Sequence, residues 1–219
     1  MGQFRFFKKY ISKIFSRFGA KKKSDDLPTQ VAIFASGAGS NAKKIIDHFS
    51  ANPRIKISLI VCNKPGAGVL TIAREKGIAS LLIEKTLFEN SDVYINELRS
   101  RNIDWIVLAG FLWKVPATMI KEWPGRIINI HPALLPGYGG KGMYGQRVHE
   151  AVIAAAEKES GISIHYVDEL YDNGKVIFQA NCPVSPEDTT DSLAQKIHSL
   201  EHEHFARIIE QEIKKQKAS

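Results

Sequence analysis

Two polar side chains suited to acyl transfer, Asn129 and His131, stand two positions apart at the end of a short apolar run. Residues 127–130 predict a β-strand, and side chains at positions i and i+2 of a strand share one face. An amide beside an imidazole suits acyl transfer, because one group donates to a developing oxyanion while the other also moves a proton. The alternative is that His131 is a core or capping histidine. The other histidines have no comparable neighbour in the sequence: His48, His149, His165, His198, His202 and His204.

A glycine-rich turn follows the first apolar run and precedes a helix-like stretch. Gly39, Ser40 and Asn41 end this turn, where glycines let a phosphate approach the backbone and a helix N-terminus offers free N–H groups. The turn also fits the dinucleotide pattern G-x-G-x-x-G/A, but that pattern requires an acidic residue about 20 positions further on. The second strand ends in Cys62-Asn63-Lys64, without an acid. A phosphate site and a turn without a ligand both stay open.

Short apolar segments alternate with helical ones along most of the chain. This alternation predicts an α/β fold, a Rossmann-like, mostly parallel twisted sheet with helices on both faces and a C-terminal antiparallel hairpin. Ligands of such sheets bind beyond the carboxyl ends of the strands. The predicted strands are residues 31–35, 55–61, 79–83, 105–109, 127–130, 163–167 and 176–180. The predicted helices are residues 41–49, 68–76, 91–100, 151–158 and 189–214, the last capped by Thr189 or Thr190.

The basic charge is concentrated at the N-terminus. Residues 1–30 carry eight Lys or Arg and two Asp, which is +6 of the formal net charge of +7. The other 189 residues therefore carry +1, which gives no compositional reason to expect nucleic-acid binding. Apolar residues recur every three or four positions among the basic ones, as in helices at anionic surfaces. Contact with such a surface, an organellar transit segment and a peripheral extension without a role all stay open.

The composition favours one folded domain. We expect a basic extension at residues 1–29, a single domain at residues 30–214 and a tail at residues 215–219. No apolar run reaches the length of a membrane-spanning helix. Two cysteines, Cys62 and Cys182, lie in apolar stretches without metal-ligand spacing, so we expect buried thiols in a reducing cytoplasmic compartment and no metal. A monomer and a homodimer are both compatible with the sequence.

Four motifs in order resemble the folate-dependent formyltransferase family, in its branch that acts on phosphoribosyl glycinamide. They are Ser-Gly-x-Gly-Ser-Asn after the first strand, Leu108-Ala109-Gly110-Phe111, the Asn-Ile-His-Pro-x-Leu-Leu-Pro run that begins at Asn129, and Asp172-x-Gly174. The resemblance extends from about Val31 to Ile213. It implies transfer of the formyl group from 10-formyltetrahydrofolate, the co-substrate, to the amine of phosphoribosyl glycinamide in de novo purine biosynthesis.

The resemblance also implies roles for particular residues. Asn129 and His131 would polarise the formyl oxygen and stabilise a tetrahedral intermediate. Asp172 would pair with His131 and raise the imidazole pKa, so that the ring stays protonated. Gly39, Ser40 and Asn41 would hold the substrate phosphate, and Glu201 would contact the ribose. The folate pterin would lie in a pocket formed largely by backbone groups of Leu112, Trp113, Lys114 and Val115.

Several positions depart from the commonest family pattern, and the residues alone leave alternatives. Ala38 and Asn173 replace a frequent Asn and Gly, and Trp113-Lys114 replaces a frequent Arg-Ile pair. The glycine-rich segment 139–145 is either a lid or an ordinary surface loop. Without the resemblance, Asp172 is most simply a hairpin-turn residue and Glu201 a solvated helix charge.

Other classes of protein fit the sequence less well. Transfer onto initiator methionyl-tRNA would call for an added C-terminal domain, and a formyltetrahydrofolate hydrolase for an added N-terminal one. A nicotinamide-dependent dehydrogenase would leave Asn129 and His131 without a shared role. A binding module without activity is not separated from an enzyme by these motifs.

Overall fold

The structure is a computed structural model, and it describes residues 27–218. Seven strands and seven helices alternate along this part of the chain. The strands are β1 (Thr29–Ala35), β2 (Ile55–Cys62), β3 (Ala79–Leu82), β4 (Trp105–Leu108), β5 (Ile127–His131), β6 (Glu159–Tyr166) and β7 (Val176–Pro183). The helices are α1 (Ser40–Phe49), α2 (Gly68–Glu75), α3 (Lys85–Asn90), α4 (Val93–Ser100), α5 (Ala117–Glu122), α6 (Gln146–Ala154) and α7 (Thr190–Lys217).

All seven strands form one mixed sheet in the order β3-β2-β1-β4-β5-β6-β7. The first five are parallel to one another, and β6 and β7 are added as an antiparallel pair. The predicted fold class is therefore confirmed. Because β1, β4 and β5 are parallel and adjacent, the loops after their carboxyl ends meet at one edge of the sheet.

Each face of the sheet has its own apolar core. Along β1, Val31, Ile33 and Ala35 belong to the core beneath α1, α2 and α7, whereas Ala32 and Phe34 face the core beneath α3, α4 and α5. The central strands are thus buried on both faces, which explains why they are uninterrupted apolar runs rather than alternating ones.

Several elements differ from those predicted. The helices α3 and α5 were not predicted, because each has six residues and a single buried apolar side chain, Phe88 or Met119, too few to show a helical period. Helix α6 lies at Gln146–Ala154 rather than at residues 151–158. Strand β6 begins at Glu159, four residues before its predicted start, because Glu159-Ser160-Gly161 lacks apolar residues.

The ends of the described chain are tied to the sheet. Thr29 is 2% exposed, and its N–H donates to the carbonyl of Arg54 at 2.8 Å. The first strand therefore begins one residue before position 30, and α7 continues to Lys217, beyond position 214. Residues 1–26, where the basic extension is predicted, lie outside the described part. Within residues 27–218, no helix combines the length and the apolar character that crossing a bilayer requires.

The start of α7 confirms Thr189 as the helix cap. The Thr189 side chain accepts from the Ser192 N–H at 3.1 Å, and the Ser192 hydroxyl accepts from the Thr189 N–H at 3.0 Å. This reciprocal pair satisfies two backbone donors that a helix start otherwise leaves without partners. It fixes where α7 begins, and α7 carries Glu201.

We predict that Thr189→Ala lowers the free energy of unfolding by about 1 kcal/mol, because a backbone donor of α7 loses its acceptor. For a domain of this size the melting temperature falls by about 2–4 °C. Differential scanning calorimetry measures the change. Thr190→Ala, one position inside the helix, is the matched control, and an equal loss in both variants would contradict a capping role.

Candidate active site

One cavity of about 770 Å³ opens at the sheet edge where β1, β4 and β5 end. Its walls come from the glycine turn, the loops after β4 and β5, the segment between β5 and α6, the β6–β7 connection and α7. Every residue proposed above for the site lines it: Gly39, Ser40, Asn41, Leu112, Trp113, Lys114, Val115, Asn129, His131, Asp172 and Glu201. Residues up to 162 positions apart in the sequence thus share one cavity.

His131 is held at both ring nitrogens by oxygen acceptors. The ring is 3% exposed, and its Nε2–H donates to the carbonyl of Tyr138 at 2.7 Å. Its Nδ1 lies 3.6 Å from Oδ2 of Asp172, within ion-pair range but longer than a hydrogen bond. Two acceptors are both satisfied only by the imidazolium form, since the neutral ring has one N–H.

The carboxylate of Asp172 lies between two imidazoles. Its Oδ1 is 3.7 Å from Nε2 of His165, and its Oδ2 accepts from the Gly140 N–H at 2.9 Å. Burial acts to raise the pKa of Asp172, but His165, His131 and the Gly140 N–H outweigh it, so the pKa lies below its ordinary value. Asp172 is therefore ionised at neutral pH, and it is more than a hairpin-turn residue.

The protonation of His131 differs from the expectation. Burial lowers the pKa of the ring below its ordinary value, while Asp172 and the Tyr138 carbonyl act in the opposite direction without fully compensating. The net effect is a lower pKa rather than the expected higher one, so the ring is mainly neutral at pH 7. Asp172 acts in the expected direction, but the cost of charging an enclosed ring is larger.

His165 is the site residue that sequence reasoning missed. Asn129 and His165 are direct partners across the β5–β6 ladder, and the Asn129 Nδ2 lies 3.0 Å from the His165 Nε2. The His165 Nδ1–H donates to the carbonyl of Tyr166 at 2.8 Å, so the Nε2 that faces Asn129 can accept from its amide. One amide hydrogen of Asn129 is thereby used and the other is left for a ligand. The interpretation that His165 has no comparable neighbour is wrong, and only the register of the hairpin could have revealed it.

Backbone strain accompanies the two groups that hold His131. Tyr138 has φ 55° and Asp172 has φ 51°, both in the left-handed region that residues other than glycine rarely adopt. Asp tolerates this region better than Tyr because its side chain bonds to nearby backbone. The Tyr138 carbonyl and the Asp172 carboxylate are thus directed at His131 by unusual backbone conformations.

The glycine turn is packed against the start of α2. Gly39 has φ +83°, and a Cβ at this position would lie 2.8 Å from Cβ of Val69. Gly39 precedes α1 without any side-chain cap, so the first N–H groups of α1 have no partner within the helix. Such a turn can accept a phosphate, as the sequence predicts for Gly39, Ser40 and Asn41.

Glu201 is buried in the wall of the cavity rather than solvated, with 6% exposure. Its Oε2 accepts from Nδ2 of Asn41 and from Nδ1 of His198, each at 2.9 Å. The Asn41 side chain is therefore bonded to Glu201, and its backbone is what remains for a phosphate. The hydrogen bond to Glu201 raises the pKa of His198 and favours its cationic form beside α1.

The predicted pterin segment combines backbone groups with aromatic packing. The Leu112 N–H donates to the Ser36 hydroxyl at 3.0 Å, and Val115 is 4% exposed. The Trp113 ring packs 5.9 Å from Phe88 and 6.1 Å from Phe111, measured between centroids. Nζ of Lys114 lies 5.5 Å from the centroid of Tyr171. Trp113 and Lys114 are thus accommodated by contacts that leave them in the cavity wall.

No residues in the range 27–218 form a group of three or more His, Cys, Asp or Glu placed to hold a metal ion. Both cysteines are free thiols. Cys62 is buried as predicted, whereas Cys182 is only half-buried, since alternate residues of the last strand face solvent.

A second cavity, of about 790 Å³, lies between the start of β2 and the end of α7. The polar side chains in its wall bind one another: His48, Asn52 and Lys214 contact the Glu210 carboxylate at 2.8, 3.3 and 2.7 Å. Its lining contains none of the residues proposed for catalysis or binding, all of which line the cavity around His131.

Comparison with known proteins identifies the family to which the chain belongs. The formyl transferase family matches residues 29–209, and the chain belongs to this family. Among curated proteins it is similar to the phosphoribosylglycinamide formyltransferase of Bacillus subtilis, with 36% identity over 185 residues that cover 82% of this chain and 92% of the relative. The chloroplastic phosphoribosylglycinamide formyltransferase of Arabidopsis thaliana is 38% identical over 82% of this chain.

The chain covers only part of the length of some of these relatives. It spans 64% of the Arabidopsis protein and 14% of the trifunctional purine biosynthetic protein adenosine-3 of Drosophila melanogaster, to which it is 40% identical over 82% of its own length. Among solved structures, phosphoribosylglycinamide formyltransferase from Bacillus halodurans matches with a TM-score of 0.75 and 34% identity, over 83% of this chain and 93% of that one.

We predict that Asp172→Asn lowers the pKa of His131 further, because the carboxylate is the main group that raises it against burial. A pH titration of the histidine ring signals by NMR measures this shift. The matched control is Asp168→Asn, which neutralises a carboxylate of the same connection that bonds to the Leu170 N–H and to Asn173. An unchanged His131 pKa in Asp172→Asn would remove Asp172 from the electrostatics of the site.

Proposed function

We propose that the chain transfers the formyl group of 10-formyltetrahydrofolate to the amine of phosphoribosyl glycinamide, a step of de novo purine biosynthesis. The observation that carries the proposal is the meeting of Asn129, His131 and Asp172 in the same cavity as the glycine turn and Glu201. The names of relatives that are 36–38% identical over 82% of the chain support it.

The ribonucleotide end of the substrate lies at the glycine turn. The phosphate binds the free N–H groups at the start of α1, where the helix dipole also favours an anion. His198, whose cationic form Glu201 favours, adds positive charge beside this site. The ribose lies next to Glu201, and the amine then extends toward β5.

The folate end lies along the loop after β4. A pterin is flat and carries several hydrogen-bonding groups, so it suits a wall of backbone groups such as residues 112–115. Four large apolar side chains stay exposed around the same cavity: Leu112 (51%), Tyr144 (41%), Leu170 (63%) and Tyr171 (42%). They offer the remainder of the folate an apolar contact.

Asn129 and His131 act on the formyl oxygen. As the amine attacks, the new nitrogen–carbon bond forms and negative charge develops on this oxygen, to which the free amide hydrogen of Asn129 donates. The developing charge also favours the protonated form of His131, since a nearby anion raises an imidazole pKa. The bond between the formyl carbon and the folate nitrogen then breaks. The attacking amine loses a proton and the folate nitrogen gains one, so the exchange is balanced.

The hydrogen bond between His131 and Tyr138 has a consequence for this chemistry. Nε2–H is donated to the Tyr138 carbonyl, so this bond must open before Nε2 can serve a substrate oxygen. The strained φ of Tyr138 favours the opening of this bond, because the backbone strain is released when the residue relaxes. Segment 139–145 lies directly after Tyr138, and its Gly140 N–H donates to Asp172. A movement of this segment would therefore change the contacts of both His131 and Asp172.

A formyl-transfer assay with competing acceptors tests the proposal. Purified protein is given 10-formyltetrahydrofolate with phosphoribosyl glycinamide, free glycinamide, initiator methionyl-tRNA or water as the only acceptor. We expect ribonucleotide-dependent release of tetrahydrofolate. Transfer to tRNA, hydrolysis alone or no turnover would reject the proposal.

We predict that His131→Ala slows the chemical step at least ~100-fold while substrate affinity stays within a few-fold, because the ring acts mainly in the transition state. Single-turnover kinetics separate the chemical step from binding. His204→Ala, which removes an imidazole outside the cavity, is the control. Weakened binding with an unchanged chemical rate would contradict the role of His131.

The proposal also includes a cellular location for the protein and a role for its basic extension. We place the protein in the cytoplasm, since the free thiols Cys62 and Cys182 suit a reducing compartment. The basic residues of segment 1–26 suit contact with an anionic surface, and a transit segment or an extension without a role are the alternatives. We expect the segment to be dispensable for catalysis, because β1 begins at the end of the sheet opposite the cavity.

We predict that deletion of residues 2–26 leaves kcat, KM and the melting temperature unchanged and abolishes co-sedimentation with phosphatidylglycerol vesicles, relative to phosphatidylcholine vesicles. Steady-state kinetics, calorimetry and vesicle sedimentation are measured on both proteins. A loss of activity would place the extension in the catalytic domain. Equal sedimentation of the two proteins would reject its role at an anionic surface.

A further inference from the structure

His149 is a buried imidazole for which the mechanism above has no use. It lies on α6, is 3% exposed and lines the cavity. Its Nδ1 is enclosed without a hydrogen-bond partner, and no group in the described part of the chain is bonded to its Nε2. An unpaired buried polar atom destabilises the folded state, so a folded protein rarely keeps one without a reason.

The surroundings of His149 indicate what kind of group could bind its ring. His198, Glu201 and His131 line the same cavity and are close enough to His149 to affect the pKa of its ring. Burial lowers the pKa of His149, so the ring is neutral at pH 7 and has one donor and one acceptor. A neutral ring has no charge with which to attract a phosphate, and its partner should be an uncharged group that can both accept and donate.

Two acceptors of the bonded pair Asn41 and Glu201, which lines the same cavity, also lack partners. Both hydrogen bonds to the Glu201 carboxylate fall on Oε2, which leaves Oε1 without one among residues 27–218. Oδ1 of Asn41 is buried and unpaired, while Nδ2 of the same side chain is used by Glu201. A ligand that suits an imidazole and two oxygen acceptors must carry several donors close together. Neighbouring hydroxyl groups of a sugar have this property.

We propose that His149 is a specificity-determining residue that hydrogen-bonds one of the two ring hydroxyls of the pentose in the ribonucleotide substrate, beside Glu201. The inference rests on the proposed function for the identity of the substrate. Glu201 alone accepts a hydrogen from a hydroxyl, whereas His149 also supplies the partner for the hydroxyl oxygen. Removing either the ring or the hydroxyl leaves a buried polar group unpaired, so discrimination against a deoxy-sugar should be strong.

The informative variant is His149→Leu, which keeps an apolar volume and removes the unpaired nitrogens. We expect the ligand-free melting temperature to stay the same or rise, because an uncompensated polar group has been removed. We expect the KM for phosphoribosyl glycinamide to rise about tenfold, with kcat within about twofold. His149→Gln, which can donate and accept, should recover part of the KM. His202→Leu is the matched control, because the His202 Nε2 is also buried and unpaired but the residue does not line the cavity.

The deciding measurement is isothermal titration calorimetry with the ribonucleotide and its 2′-deoxy and 3′-deoxy analogues, on the full-length protein and its His149→Leu variant. One deoxy analogue should bind the unmodified protein about tenfold more weakly and bind the variant no more weakly than the ribonucleotide does. If the losses from mutation and from both deoxy analogues simply add, or if the variant melts at a lower temperature with unchanged discrimination, the proposal is wrong.

This design separates the inference from the proposed function. If the protein binds the ribonucleotide without transferring a formyl group, the proposed function fails while the comparison of analogues still tests His149. If transfer occurs and His149→Leu discriminates against the deoxy analogues as the unmodified protein does, the inference alone fails. If the ribonucleotide does not bind at all, both are rejected.

Discussion

The carboxylate of Asp172 connects three parts of the chain that would otherwise meet only by packing. It contacts His131 at the end of β5, His165 on β6 and the backbone N–H of Gly140. His165, His131 and the Gly140 N–H together outweigh the cost of burial and keep the pKa of the carboxyl below its ordinary value. The rest of the site depends on this anion, because it partly offsets the desolvation that makes His131 hard to protonate.

The change of strand direction after β5 makes this arrangement possible. In a purely parallel sheet, the neighbour of β5 would be another parallel strand that is reached by a long crossover connection. The antiparallel β6 instead brings His165 opposite Asn129, and the β6–β7 connection returns Asp172 to the cavity. The amide and the two imidazoles are therefore held by a sheet ladder, and the short connection between two paired strands holds the carboxylate against them.

Much of this was accessible from the sequence. Apolar runs with helical segments between them predicted the parallel part of the sheet, and the i, i+2 spacing placed Asn129 and His131 on one face. The roles of Glu201 and residues 112–115 came only from the resemblance to the formyltransferases. The structure places all of them in the cavity wall but does not test those roles.

What the sequence could not provide is long-range register and the balance of burial against charge. His165 was overlooked because its partner lies 36 positions away, and a pairing of that range is not encoded in any local pattern. The direction of the His131 pKa was misjudged because the resemblance implied the neighbouring carboxylate but not the depth at which the ring is buried. The short helices α3 and α5 were not predicted, because a single buried side chain in each cannot show a helical periodicity.

The polarity of β1 has a practical consequence. This strand enters at Thr29 and runs seven residues, about 23 Å, before the glycine turn begins. An affinity handle or a fluorophore attached directly ahead of Thr29 is therefore separated from the glycine turn by the full length of β1.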